Sequence, residues 1–192
     1  MTDLPPQPAS SPGFTARFAH SLDEKSIIQL YQAVAAQGGG IAREADEVTA
    51  GYVAGNLEKA TANGICLVVD HPDQPGAVIA EVHCYKLIPR VFSHVLSELT
   101  AVVHPDFQGR GLGKLLFTAL LAHVEAHRLD ILRVELIARE SNGKAIALYE
   151  KLGFVTEGRL AQRINGKTGV LEADIPMAWF NKNFGKAPLP QR

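Results

Sequence analysis

The stretch Gln108-Gly109-Arg110-Gly111-Leu112-Gly113 sets three glycines between an apolar segment, Ser97–Val103, and a helical stripe of Leu112, Leu115, Leu116, Ala119, Leu120 and Val124. A strand must end there, turn sharply and enter a helix. Glycine lacks the Cβ that would hold a ligand away from the backbone. The first amides of a helix have no partner within the helix and sit at the positive end of its dipole, so a phosphate or pyrophosphate is the favoured guest. Arg110 and Lys114 add positive charge. Two familiar phosphate patterns fail on spacing. A Walker loop needs Gly five residues before Gly113 and Ser or Thr after Lys114, where this chain has Gln108 and Leu115. A dinucleotide fingerprint needs a third glycine at the position of Lys114, although Asp130 falls near the expected acidic distance.

An anion site here has to be local, because nineteen Lys and Arg against twenty Asp and Glu leave no cationic excess for nucleic acid. With 192 residues the chain can bury one substantial core, and the expected organisation is a tail at 1–13, a single domain at 14–184 and a tail at 185–192. Pro5, Pro6, Pro8 and Pro12 mark the first tail, which lacks the basic and apolar regions of a signal peptide. No apolar run approaches the roughly 18 residues of a membrane span. Cys66 and Cys84 have neither zinc-site nor redox-pair spacing, so no metal is expected and a reducing cytoplasm is the default location.

Along the chain, Phe14–Ala19 reads as a first strand. Ser21 and Glu24 have the spacing of a capping box, with Ile27, Leu30, Tyr31 and Val34 forming the stripe of a helix that Gly38-Gly39-Gly40 stops. A weaker helical pattern covers about 46–60. Two strands, Gly64–Asp70 and Ala77–Ile88, flank the turn-rich 71–76, and Arg133–Ala138 follows the central helix as a further strand. A helix over about Asn142–Leu152 ends at Gly153. Asn165-Gly166 signals a hairpin between Phe154–Ile164 and Gly169–Phe180, with Pro176 disfavouring a central strand.

The segment Val103–Gly113 resembles motif A of the GNAT superfamily of N-acetyltransferases, Gln/Arg-x-x-Gly-x-Gly/Ala, with Gln108, Gly111 and Gly113 at its fixed positions. Asn142-Gly143-Lys144-Ala145-Ile146-Ala147-Leu148-Tyr149-Glu150-Lys151-Leu152-Gly153-Phe154 resembles the same family's motif B. The two motifs come in the family's order, and the resemblance covers Glu98–Phe154. It implies an α/β fold: a central mixed, mostly antiparallel twisted sheet of about six or seven strands with about four helices. It also implies acetyl-CoA as cofactor and an amine as acceptor, with acetyl transfer by direct attack on the thioester. The alternative is a non-catalytic acyl-CoA-binding or regulatory domain. A homodimer rests on analogy alone.

The resemblance assigns the pyrophosphate to Gln108, Gly109, Arg110, Gly111, Leu112, Gly113 and Lys114. It gives the pantetheine arm backbone groups of Val102 and Val103, with Asn142 as a further cofactor contact. Tyr149 is the implied proton donor to the leaving thiolate. Asn142 and Tyr149 lie seven residues apart, nearly two helical turns, so both can project from one helix face. On the amine side Glu98 is the first candidate base. Glu81 and His83, which share a strand face, and His94 are its rivals. Acceptor contacts are expected from 38–47, where Arg43 could bind a carboxylate, and from the hairpin near Asn165. The acceptor itself stays open, because one fold hosts many acceptors.

Overall fold

A computed structural model of the chain describes residues 10–11, 13–37, 41, 43–166 and 169–186. Most of both expected tails and the helix stop at Gly38-Gly39-Gly40 lie outside the described residues. The fold is mixed α/β with a mostly antiparallel strand pattern and four α-helices among the described residues. Its residues fall into two compact units, one made of the chain to Tyr85 with Thr100–His123, the other of Lys86–Leu99 with the chain from Val124 on.

In the first unit, β1 (Ser10–Ser11), β2 (Phe14–Phe18), β3 (Gly64–Asp70) and β4 (Val78–Tyr85) pair antiparallel in that order. Gly64 faces Tyr85 where the strands approach so closely that a Cβ would stand 2.0 Å from the Cys84 carbonyl oxygen. Only glycine fits that contact. Helices α1 (Glu24–Gln37) and α2 (Ala50–Asn63) cover these strands. The stripe anticipated from the sequence, Ile27, Leu30, Tyr31 and Val34, is buried in one cluster with Val53, Leu57 and Ala60 of α2 and with Cys66, Val68 and Val102. Each large aliphatic side chain buried this way contributes about 1.5–3 kcal/mol.

Two helix starts differ from the sequence reading. Helix α2 begins at Ala50, because Thr49 caps it by accepting from the Tyr52 amide at 3.1 Å. Before α1, a short 3-10 turn begins at Ser21 with His20 as its cap, and the returning carboxylate is that of Asp23, which accepts from the His20 amide at 2.9 Å. The capping box therefore sits one residue earlier than Ser21 and Glu24 suggested. Arg17 explains the shift: its two terminal nitrogens bind both Asp23 oxygens at 2.7 and 2.8 Å, and the same guanidinium reaches Asp70 of β3.

In the second unit, the start of β5 (Val95–Val103) pairs parallel with β6 (Arg133–Arg139), which pairs antiparallel with β9 (Leu171–Phe180). Helix α3 (Leu112–His127) connects β5 to β6, and α4 (Gly143–Lys151) follows β6. The extended stretch expected at Phe154–Ile164 is two strands, β7 (Val155–Thr156) and β8 (Leu160–Asn165), both antiparallel to β9. That break and the two-residue β1 bring the described strands to nine. The break also resolves the problem posed by Pro176. Proline has no N–H to give a neighbouring strand, and Pro176 lies opposite the gap between β7 and β8, where its carbonyl accepts from the Glu157 amide at 2.9 Å. The hairpin after β8 closes through a connection longer than Asn165-Gly166, with the Gly166 amide bonded to Val170 at 3.0 Å.

Burial alone would raise the Asp23 carboxyl, yet the hydrogen bonds from Arg17 and the His20 amide hold it below the usual carboxylate range. A lowered folded-state pKa adds stability above the unfolded value, about 3.9, and loses it as pH falls through the lower folded value. Asp23→Ala should destabilise the chain by about 1–3 kcal/mol in urea unfolding at pH 7. The difference from wild type should shrink below about pH 4, as protonation removes the wild-type contribution.

Candidate active site

The glycine turn is built as its sequence demanded. Gly109 and Gly111 have φ of 76° and 82°, in the left-handed region, and nothing lies within 4 Å of a Cβ placed on Gly109. The first helical bond of α3 runs from the Leu115 amide to the Gly111 carbonyl at 3.0 Å. The amides of Leu112, Gly113 and Lys114 precede that bond, as a helix N-terminus requires. Two anchors hold the turn. The Gln108 side-chain amide donates to the Val103 carbonyl at 3.3 Å, tying the loop to the end of β5. Phe107, which no spacing in the sequence marks, is buried with its ring edge-on to His71 at 5.0 Å and Phe14 at 6.3 Å. Arg110 lies over that ring at 4.7 Å and donates to the Asp106 carbonyl. Arg110 and Lys114 are both exposed. The open Cβ position of Gly109, the amides ahead of the first helical bond and the two exposed cations are the features a pyrophosphate would require.

Val102 is buried and Val103 half-buried at the end of β5. The parallel pairing of β5 with β6 covers Val95 and Leu96. Two residues later Glu98 takes φ 54°, a left-handed conformation that costs a non-glycine residue about 1–3 kcal/mol and that clusters at functional positions. Its side chain is exposed. Sequence gave no sign of this strain. His94, the last residue before β5, contributes its carbonyl to the amides of Leu132 and Arg133.

In the second unit, Asn142 is the N-cap of α4, and its side-chain oxygen accepts from the Ala145 amide at 3.2 Å. Tyr149 lies two turns further along, half-buried, with its ring 5.9 Å from that of Phe154. Burial pushes its phenol up to about 12. The acidic residue that a dinucleotide site would need is committed elsewhere, since Asp130 pairs with Arg128 at 2.9 Å and Lys86 at 2.7 Å. Those hydrogen bonds, led by Arg128, hold its carboxyl below the usual range.

Glu81 and His83 share the face of β4 covered by α1 and α2, and both are buried, at 1% and 3% exposure. Glu81 is surrounded by donors. The Tyr31 hydroxyl lies 2.7 Å from Oε2, while Cys66 Sγ at 3.2 Å and His83 Nδ1 at 2.9 Å approach Oε1. Tyr31 and Cys66 are both pushed up, first by burial and then by the Glu81 charge, so both remain protonated donors. Sequence reasoning had assigned Tyr31 to the core stripe and had used Cys66 only to exclude a metal. The signal available was the hydroxyl that Tyr31 carries into an otherwise aliphatic stripe. Arg43, the candidate carboxylate binder, lies over the Tyr52 ring at 4.1 Å.

The model of the acetyltransferase (GNAT) family matches residues 16–154, well over half of the chain. The chain belongs to that family. The matched residues include the glycine turn, Glu98 and α4, the segments on which the resemblance was first drawn. Over 63 residues the chain is 48% identical to the [ribosomal protein bS18]-alanine N-acetyltransferase of Salmonella typhimurium, covering 31% of this chain and 41% of that protein. Over 110 residues it is 38% identical to the mycothiol acetyltransferase of Salinispora tropica, covering 56% of this chain and 33% of that protein. The chain thus spans less than half the length of these curated relatives. A phosphinothricin acetyltransferase from Sinorhizobium meliloti, solved in complex with acetyl-CoA, superposes with a TM-score of 0.77 at 21% identity over 93% of this chain and 94% of that one. The GNAT fold is the fold of this chain.

The Asn142 cap gives a direct test of what that residue contributes before any ligand binds. Asn142→Ala should cost about 0.5–2 kcal/mol in urea unfolding, and Asn142→Asp, which keeps a capping oxygen, should recover most of it.

Proposed function

We propose that this chain is an N-acetyltransferase that moves an acetyl group from acetyl-CoA to a primary amine of a small molecule, amino acid or peptide. The observation that carries the reading is the left-handed glycine turn at the start of α3, with amides ahead of the first helical bond and two exposed cations beside them. Family membership and the named activities of its relatives support it. A single domain over 14–184 belongs to the same reading. No helix among the described residues is long and apolar enough to cross a membrane, and both cysteines are buried; the proposed location is a reducing cytoplasm.

In this reading the amides of Gly109–Lys114 hold the pyrophosphate, with Arg110 and Lys114 as neutralising charges and Gln108 fixing the loop to β5. Backbone groups of Val102 and Val103 align the pantetheine arm, and Asn142 adds a contact beyond its cap. Acetyl-CoA supplies an activated thioester carbonyl for the amine to attack. Tyr149 donates to the sulfur as the C–S bond breaks. A phenol near 12 is a weaker acid than a thiol near 8.5. Tyr149 therefore acts as a hydrogen-bond donor to the developing thiolate, and the proton released by the amine completes the thiol. Glu98 is the carboxylate that the resemblance offers to the amine.

Isothermal titration with acetyl-CoA, followed by thiol release with a panel of amino acids, peptides and polyamines, tests the reading. No binding at millimolar acetyl-CoA would overturn it. Gly111→Glu puts a side chain at φ 82° and a negative charge against the anion. Acetyl-CoA affinity should fall at least about 100-fold, close to 3 kcal/mol, with the circular dichroism unchanged. Tyr149→Phe should bind acetyl-CoA normally while kcat falls by roughly 100-fold. Wild-type kcat in that variant would remove Tyr149 from the chemistry.

A further inference from the structure

The first unit keeps a carboxylate and an imidazole inside its apolar core. Burying such groups is costly unless every one is paired, so their arrangement calls for a reason. The donor count around Glu81 supplies one. Tyr31 has one hydroxyl proton, and the 2.7 Å contact to Glu81 Oε2 takes it in preference to the 3.3 Å contact with His83 Nδ1. Cys66 gives its S–H to Oε1. At 2.9 Å from the same oxygen, an unprotonated Nδ1 would set lone pair against lone pair, so the proton of a neutral His83 belongs on Nδ1. A neutral imidazole holds one N–H, which leaves Nε2 as a bare acceptor. Free imidazoles in water favour no such arrangement by themselves; here the carboxylate imposes it.

Beside the pair is a cavity lined by Tyr31, Asn56, Glu81 and His83, with Val53 and Leu57 as apolar walls. Its volume of about 10 Å³ has room for one water, which is also the size of an amine nitrogen. Val102, from the strand that the proposed function gives to the pantetheine arm, is buried in the same core cluster as Tyr31 and Cys66. The pair therefore belongs to the same unit as the glycine turn and the end of β5.

We propose that His83, held by Glu81 as its Nδ1–H tautomer, takes the ammonium proton of the acceptor at Nε2, in the place that the resemblance gives to Glu98. This rests on the N-acetyltransferase reading. The acceptor enters as R–NH3+ and gives one proton to Nε2, making an imidazolium paired with Glu81. The freed lone pair forms the C–N bond to the thioester carbonyl carbon. The C–S bond breaks on collapse, the second nitrogen proton goes to the leaving sulfur, and His83 returns its proton to water. His83 is the catalytic residue in this scheme, and Glu81 is a positioning residue that acts through it. An imidazole suits the task by type, since one ring nitrogen can accept a proton while the other donates.

Nitrogen-15 NMR of the histidine rings near pH 8 in the intact protein, with His83 assigned through His83→Gln, reads the tautomer without any acceptor. A protonated Nδ1 with bare Nε2 is expected, and an Nε2–H tautomer overturns the proposal. In Glu81→Gln the amide can donate to Nδ1, so the ring should move toward Nε2–H, the exchange that disables a carboxylate-oriented histidine elsewhere. In the same variant kcat should fall with acetyl-CoA affinity held; wild-type kcat beside a shifted tautomer would remove Glu81 as a positioning residue. With any amine that the wild type acetylates, His83→Gln should bind acetyl-CoA as before and lose roughly 10²–10⁴-fold in kcat. Retained wild-type kcat in His83→Gln overturns the proposal and leaves the N-acetyltransferase reading intact. Loss of acetyl-CoA binding by the wild type would instead remove that reading.

Discussion

Helix α3 cannot satisfy its own first amides, and the chain leading into it is arranged to leave them presented. A strand that ran straight into the helix would bury those donors under side chains. Gly109 and Gly111 prevent this by turning the backbone through left-handed conformations at 76° and 82°. The turn would be loose if glycine alone defined it, since glycine is the most permissive residue. Phe107 packed among His71 and Phe14, and Gln108 bonded to Val103, fix it. Freedom of backbone and rigidity of anchor are thus supplied by adjacent residues. That combination is what an anion cradle needs, because a preformed ring of donors loses little entropy when the anion arrives.

The polar group in the core obeys a different constraint. Glu81 is almost wholly buried, and a lone carboxylate there would cost several kcal/mol. Three donors from three elements, α1, β3 and its own β4, compensate it. Replacing the whole group with aliphatic side chains is a solution that proteins often find neutral or stabilising. The proposed reaction gives a use to this costly group, which sits in an otherwise aliphatic stripe of Ile27, Leu30 and Val34. Glu98 carries a comparable standing cost in the backbone, with φ 54° in a strand residue.

Much of the fold was legible because it is written in periodicity. The α1 stripe, β3 at Gly64–Asp70, and the strand, helix, strand order of β5, α3 and β6 all follow from residues whose spacing fixes their face. The misses come from tertiary partners. Asp23 displaced Ser21 and Glu24 as the local cap because Arg17 of β2 holds it. The late hairpin strand split in two around Pro176, a residue whose missing N–H is felt only by the neighbour across the sheet. Asn142 was read as a ligand contact, and its side chain proves to serve first as the cap of α4.

The same contrast separates the two halves of the proposed site. The donor half is built mainly from backbone amides, and backbone geometry is dictated by a few consecutive residues, so a six-residue window was enough to propose it. The acceptor half is built from side chains brought together from α1, α2, β3 and β4, with Tyr31 and Glu81 fifty residues apart in the chain. Each of those residues taken singly is an ordinary core or surface type, and no local spacing marks them. A catalytic group assembled from distant side chains is also the part of a fold most easily changed by single substitutions. In the proposed site the donor half thus rests on one turn, and the acceptor half on packing between distant elements.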